Sequence, residues 1–232
     1  MTKVLMVVTA ADHWTLNDGT PHPTGFWAEE LVTPYSVFTG AGWDVDVATP
    51  GGKAPVVDKA SLDDSAGDAG TLAEVKAQLE KLEPVLSQPL NLADVNAADY
   101  DLVFYPGGHG PMEDLAVDET SERILTERME NNAPVALLCH APAAVLATEN
   151  APGGSPFVGR KMTGFSNDEE RAGGLADKAP WLLEDRLVAL GAEYQKAPEP
   201  WASYVTVDGN LYTGQNPSSS RELAQRLVKD LA

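Results

Sequence analysis

The chain has 232 residues, long for one small domain and short for two ordinary ones, so a single α/β domain over 1–232 is the expected organisation. Apolar residues at 43% and charged residues at 22% are ordinary globular usage and exclude a collagen-like, mucin-like or wholly disordered chain. Sixteen Lys and Arg against 35 Asp and Glu leave a formal charge of −19, which argues against nucleic acid and against an anionic membrane surface as partners.

The first element is the apolar run at 4–8, Val-Leu-Met-Val-Val, which reads as a buried strand. It is too short for a signal-peptide core or a membrane span, so a cytoplasmic location is the expectation. A polar loop with Gly and Pro follows at 18–25, and 26–40 reads as a helix with Pro34 as a kink or break. Residues 42–48 alternate as a second strand. Residues 50–70, rich in Gly, Asp and Ala, read as an exposed insertion, and 72–87 carries helical spacing. Strands are expected at 102–105 and 135–138, and helices at 121–131, from 142 and at 181–190. A hairpin with Asp208-Gly209 at its turn and a closing helix at 221–231 complete the chain. Strands alternating with helices from end to end predict a mostly parallel sheet with helices on both faces.

Ligands in such sheets sit at the carboxyl ends of the strands. Cys139, the only cysteine, stands there, directly after the 135–138 strand and before His140-Ala141-Pro142. Proline favours a helix start, so strand, Cys-His, helix is a nucleophile-elbow order. A helix N-terminus would favour the thiolate; the plain alternative is a cysteine filling space at a strand end. Pro106-Gly107-Gly108-His109-Gly110 holds the matching place after the neighbouring strand, where glycines let backbone N–H groups approach a substrate oxygen. An oxyanion hole from the Gly108 and His140 N–H groups is the expectation.

Five motifs occur in order: Pro23-Thr24-Gly25 followed by Glu30, Pro106 to Gly110, Leu138-Cys139-His140-Ala141-Pro142, Met162-Thr163-Gly164-Phe165 with Glu170, and Thr213-Gly214-Gln215-Asn216-Pro217. Together they resemble the ThiJ/PfpI superfamily, in its heat-shock chaperone-like, glutathione-independent glyoxalase branch. The resemblance covers nearly the whole chain. It implies a flavodoxin-like three-layer fold and a glyoxalase III-like lyase of the D-lactate dehydratase type, acting on a small 2-oxoaldehyde such as methylglyoxal without a cofactor. It places the nucleophile on Cys139, its histidine on His140, the acidic partner of that histidine on Glu170 and the carboxylate facing the sulfur on Glu30. Glu29 is the neighbouring alternative, and one helical step of about 100° keeps both from pointing at one sulfur. Gly108, His109 and Trp27 fall in the substrate pocket. Some relatives hold a metal through a histidine three residues before the acid; Trp27 stands there, so no metal site is expected. Relatives are commonly homodimers. An amidase or peptidase, a deglycase, or a holding chaperone with a redox-sensing cysteine are the rival functions.

Overall fold

The strand β1 (Lys3–Val7) is Lys-Val-Leu-Met-Val, and its last four side chains are buried. A strand apolar on both faces belongs inside a parallel sheet covered by helices. In this computed structural model, which describes residues 2–232, β1 lies between β4 (Asp44–Thr49) and β6 (Leu102–Tyr105), parallel to both. In chain order, β2 (His13–Thr15), β3 (Pro21–Pro23) and α1 (Ala28–Gly40) precede β4. Next come α2 (Ala69–Leu86) and β5 (Leu90–Asn91), then β6, α3 (Gly110–Glu113), α4 (Glu119–Glu130) and β7 (Val135–Leu138). The chain closes with β8 (Lys161–Met162), α5 (Asn167–Gly173), α6 (Leu183–Leu190), β9 (Glu193–Tyr194), β10 (Val205–Asp208), β11 (Leu211–Gly214) and α7 (Ser220–Leu231).

The main sheet has seven strands in the order β10-β11-β7-β6-β1-β4-β5. Only the β10–β11 hairpin is antiparallel. The sheet is therefore mostly parallel, in the three-layer arrangement the sequence predicts. After β1 the chain builds outward to β4 and β5, then returns to β6 on the other side. The strand order reverses between β1 and β6, and a crevice at the carboxyl ends of these strands is the natural ligand site of such a sheet.

Three departures from the sequence reading have local causes. The loop before α1 contains the antiparallel ribbon β2–β3, pairing His13 with Pro23 and Thr15 with Pro21; its prolines and exposed side chains mask strand character. Pro34 lies inside α1 without ending it; it removes only the hydrogen bond that would reach the Glu30 carbonyl. The segment after Cys139 is a ten-residue 3₁₀ stretch, Ala141–Asn150, rather than an α-helix. The 50–70 segment is largely exposed yet pinned, since Phe26 N–H donates to the Val56 carbonyl and Thr24 Oγ1–H to buried Asp58 at 2.6 Å. No helix among the described residues is long and apolar enough to cross a membrane.

Candidate active site

Cys139 follows β7 with φ of +59°, the left-handed region that a side chain with a Cβ enters at a cost of about 1–3 kcal/mol. Both of its main-chain groups are tied. Its N–H donates to the Gly214 carbonyl at 2.9 Å, and its carbonyl accepts from the Phe165 N–H at 2.8 Å. The strained turn is thus held by β11 on one side and by the Met162-Thr163-Gly164-Phe165 segment on the other. It sets the sulfur, with Cys139 only 3% exposed, against the loop that follows β6.

That loop must come very close. A Cβ on Gly107 would stand 2.6 Å from Glu30 Oε2 and 2.8 Å from the His140 nitrogen. Gly108 has φ of +92°, and a Cβ there would stand 2.6 Å from the Trp27 nitrogen. Only glycine fits either place. The Gly107 N–H donates to Glu30 Oε2 at 2.8 Å.

Glu30 is fully buried in the first turn of α1 beside Cys139, whereas Glu29 is partly exposed and faces Arg221. The α1 register thus puts Glu30, not Glu29, at the sulfur. Burial pushes the Glu30 carboxyl well above its ordinary range, against the lowering effect of neighbouring Cys139 and of the Gly107 hydrogen bond. Its Oε1 is buried with no hydrogen-bond partner. Burial also pushes the Cys139 thiol up, with neighbouring Glu30 adding to it. A helix N-terminus alone would have lowered it; desolvation wins here. Both shifts favour the protonated forms, and protonation of Glu30 removes a charge that opposes a thiolate.

His140 lies behind the sulfur, its Nδ1 at 3.3 Å from Sγ and its Nε2 at 2.8 Å from Glu170 Oε2. Burial holds the Glu170 pKa up, but the charges and hydrogen bonds of His140 and His109 outweigh it and keep the carboxyl well below its ordinary range. An ionised carboxylate only accepts, so His140 carries its hydrogen on Nε2 and turns an Nδ1 lone pair to the thiol. Burial, then the nearby His109, lowers the His140 pKa to about 4 against the opposing pull of Glu170. His140 is a neutral base at neutral pH.

The pocket residues divide. His109 joins the site directly, donating from Nε2 to Glu170 Oε1 at 2.9 Å. Trp27 enters through its main chain, its N–H donating to the Gly107 carbonyl at 3.0 Å. His109, His140 and Glu170 bring three ligand-type atoms within 4.8 Å of one another. Each of those atoms is engaged in the His–Glu–His hydrogen bonds, an arrangement that serves proton holding rather than an open metal site.

Three contributors escape a reading of the sequence. Trp14, from β2, stacks on His109 with centroids 5.2 Å apart. Trp201, with φ of +67°, packs edge-on against Phe165 at 5.4 Å, and Phe165 lies 4.2 Å from the His140 ring. Glu169, next to Glu170 and fully buried, accepts hydrogen bonds from Ser166, Gln215, Asn216 and the Trp201 N–H at 2.8 to 3.0 Å. It ties α5 to β11 and so fixes where Glu170 points. The Ser166-to-Glu169 capping box was the available signal for α5.

The description "DJ-1/PfpI family" matches residues 23–230. The chain is 30% identical over 234 residues to the glutathione-independent glyoxalase of Saccharomyces cerevisiae, covering 99% of this chain and 98% of that one. It is 28% identical over 242 residues to the protein/nucleic acid deglycase of Staphylococcus aureus, covering 99% of this chain and 80% of that one. The crystal structure of glyoxalase III from Candida albicans superposes with a TM-score of 0.85 at 25% identity, over 100% of this chain and 98% of that one. With the elbow cysteine, its histidine and two buried glutamates held on this fold, the chain belongs to the DJ-1/PfpI family.

Proposed function

We propose that the protein converts methylglyoxal, or a similar small 2-oxoaldehyde, to the 2-hydroxy acid without glutathione or another cofactor. The observation that carries this reading is the buried Glu30 carboxyl beside the Cys139 thiol, whose sulfur lies 3.3 Å from His140 Nδ1. The full-length similarity to glyoxalases supports it.

The Cys139 sulfur bonds to the aldehyde carbon while the thiol proton passes through His140 Nδ1 to the carbonyl oxygen, giving a hemithioacetal. Glu30, its carboxyl proton first passed to solvent, takes the hydrogen from that carbon as a proton; the electron pair enters the neighbouring carbonyl to form an enediolate, and the hydroxyl proton of the first carbon passes through His140 to the second oxygen. Glu30 returns the proton to the second carbon. The first carbon is thereby oxidised to a thioester and the second reduced to an alcohol, so no outside oxidant or reductant is needed. Water then cleaves the thioester, releasing the acid and the thiol. A carboxyl raised towards the working pH by burial suits a group that must give and take one proton.

The deglycase relative favours a second reading, in which the same site removes early aldehyde adducts from amino groups. A holding chaperone is a third reading, and six large apolar side chains are exposed: Val56, Leu90, Val117, Val158, Val188 and Trp201. The test is carbon NMR of labelled methylglyoxal with purified protein in glutathione-free buffer. Lactate is the expected product. Absence of lactate, with release of amines from preformed adducts while free aldehyde is trapped, would select the deglycase reading instead.

A further inference from the structure

Glu170 is shared between two imidazoles. Its Oε1 accepts from His109 and its Oε2 from His140, and the two rings are 4.0 Å apart between centroids. Two cations at that spacing repel by several kcal/mol in a protein setting, so the pair carries one positive charge at most. Two features decide which ring carries it. The His140 side chain is 2% exposed and that of His109 is 13% exposed, so water solvates a charge better at His109. The Trp14 ring lies nearly parallel over His109 at 5.2 Å and 22°, and an indole face attracts a cation more strongly than the Phe165 ring that lies over His140.

We propose that His109 is a positioning residue, seating any positive charge of the cluster between Trp14 and Glu170 so that His140 stays neutral with Nδ1 open to the Cys139 thiol. The proposal rests on the reading of His140 as the base. The groups that face His140 are Cys139 from its own turn, His109 from the loop after β6, and Glu169 and Glu170 from α5. Glu30 on α1 reaches it only through the sulfur. His109 also faces His22 of β3, whose pKa is lowered by burial and then by His109. Glu169 and Glu170 both favour a cationic His140. With the His109 charge gone, only burial still opposes them, and His140 must take up a proton more readily.

The test is His109→Gln, which keeps an N–H donor for Glu170 but has no charge to carry, read by nitrogen NMR of the labelled histidines between pH 4.5 and 8. His140 stays neutral over this range in the native protein and begins to protonate in the variant, a rise of about one pH unit or more. The acid limb of kcat/KM moves up by the same amount, so for a one-unit rise the variant loses about two-fold more activity than the native protein between pH 7.5 and 5. A His140 resonance and an acid limb unmoved in both His109→Gln and His109→Asn would overturn the proposal, as would loss of activity by the same factor at every pH. The NMR titration needs no substrate. Failure of native protein to turn over methylglyoxal would therefore strike the proposed function and leave the proton placement to be judged separately.

Discussion

The two ends of β6 and β7 hold buried polar groups of opposite character. At the amino ends, Arg128 of α4 is 5% exposed and donates to four backbone carbonyls, those of Ala97, Tyr100, Asp101 and Pro134, at 2.6 to 3.1 Å. Those acceptors are fixed and cannot titrate, so the guanidinium is a staple between the loops that feed the two strands. At the carboxyl ends, Cys139 faces His140 and Glu170 bridges His140 and His109, so these side chains are partnered by groups that carry or take protons, and buried Glu30 stands beside the sulfur on the Gly107 N–H. Close backbone approach follows the same division, with two glycines at the carboxyl ends pressed against neighbouring atoms, whereas positive φ occurs at both ends, at Asn132 before β7 and at Cys139 after it. Fixed partners yield stability, and titratable partners under strain yield chemistry at some cost in stability.

The largest effect expected from splitting the two ends is at the sulfur. Cys139→Ser should lower methylglyoxal turnover by roughly 10⁴-fold or more while leaving the urea midpoint nearly unchanged. A serine hydroxyl has a much higher pKa, and neutral His140 is too weak a base to ionise it. Glu30→Gln should cost about 10² to 10⁴ in rate, the usual contribution of a general acid–base group. At the other end, Arg128→Met should have the opposite profile. Four carbonyls, two of them buried and two part-buried, lose their donor, destabilising the fold by roughly 3 kcal/mol in urea unfolding, with kcat in the folded protein little changed. A large loss of kcat from that variant would mean that the two ends are not independent.

Acid provides a graded test of the carboxyl end. The His140 pKa is lowered to about 4 from an ordinary value of 6.5, chiefly by burial. Below 6.5 the unfolded chain binds a proton that the folded chain refuses until about pH 4. Stability therefore falls as pH drops through that window, by about 3 kcal/mol at most from this group. Urea midpoints between pH 7 and 4 should decline in the native protein and decline less in His140→Gln. The smallest effect is expected one residue from the site: Glu29→Gln should change turnover less than about three-fold, since Glu29 makes no contact with the sulfur.

Much of this division was legible in the chain. Apolar strands at 102–105 and 135–138 and the Gly-rich and Cys-His turns that follow them place the crevice, because a turn that needs glycine or a strained residue announces itself in sequence. The partners of Cys139 came from motif resemblance, and the structure brings Glu30, His140, Glu170 and His109 together. What was hidden depends on contacts distant in sequence. Nothing near Trp14 says that it lies over His109, about a hundred residues away, and nothing near Glu169 says that Gln215 and Asn216 converge on it. The direction of the thiol shift was misjudged for the same reason. A helix start is visible from Ala141-Pro142, but the depth of burial that outweighs it is a property of the packed molecule.

The most direct measurement is native mass spectrometry of Glu30→Gln mixed with methylglyoxal, with the modified peptide located. Without the carboxyl that moves the proton, the reaction should stop at the hemithioacetal. The protein should then gain the mass of one methylglyoxal at Cys139, and a Cys139→Ser, Glu30→Gln double variant should gain nothing at that position. An unmodified Cys139 in Glu30→Gln, or lactate production that continues at the native rate in Cys139→Ser, would contradict a covalent role for the sulfur.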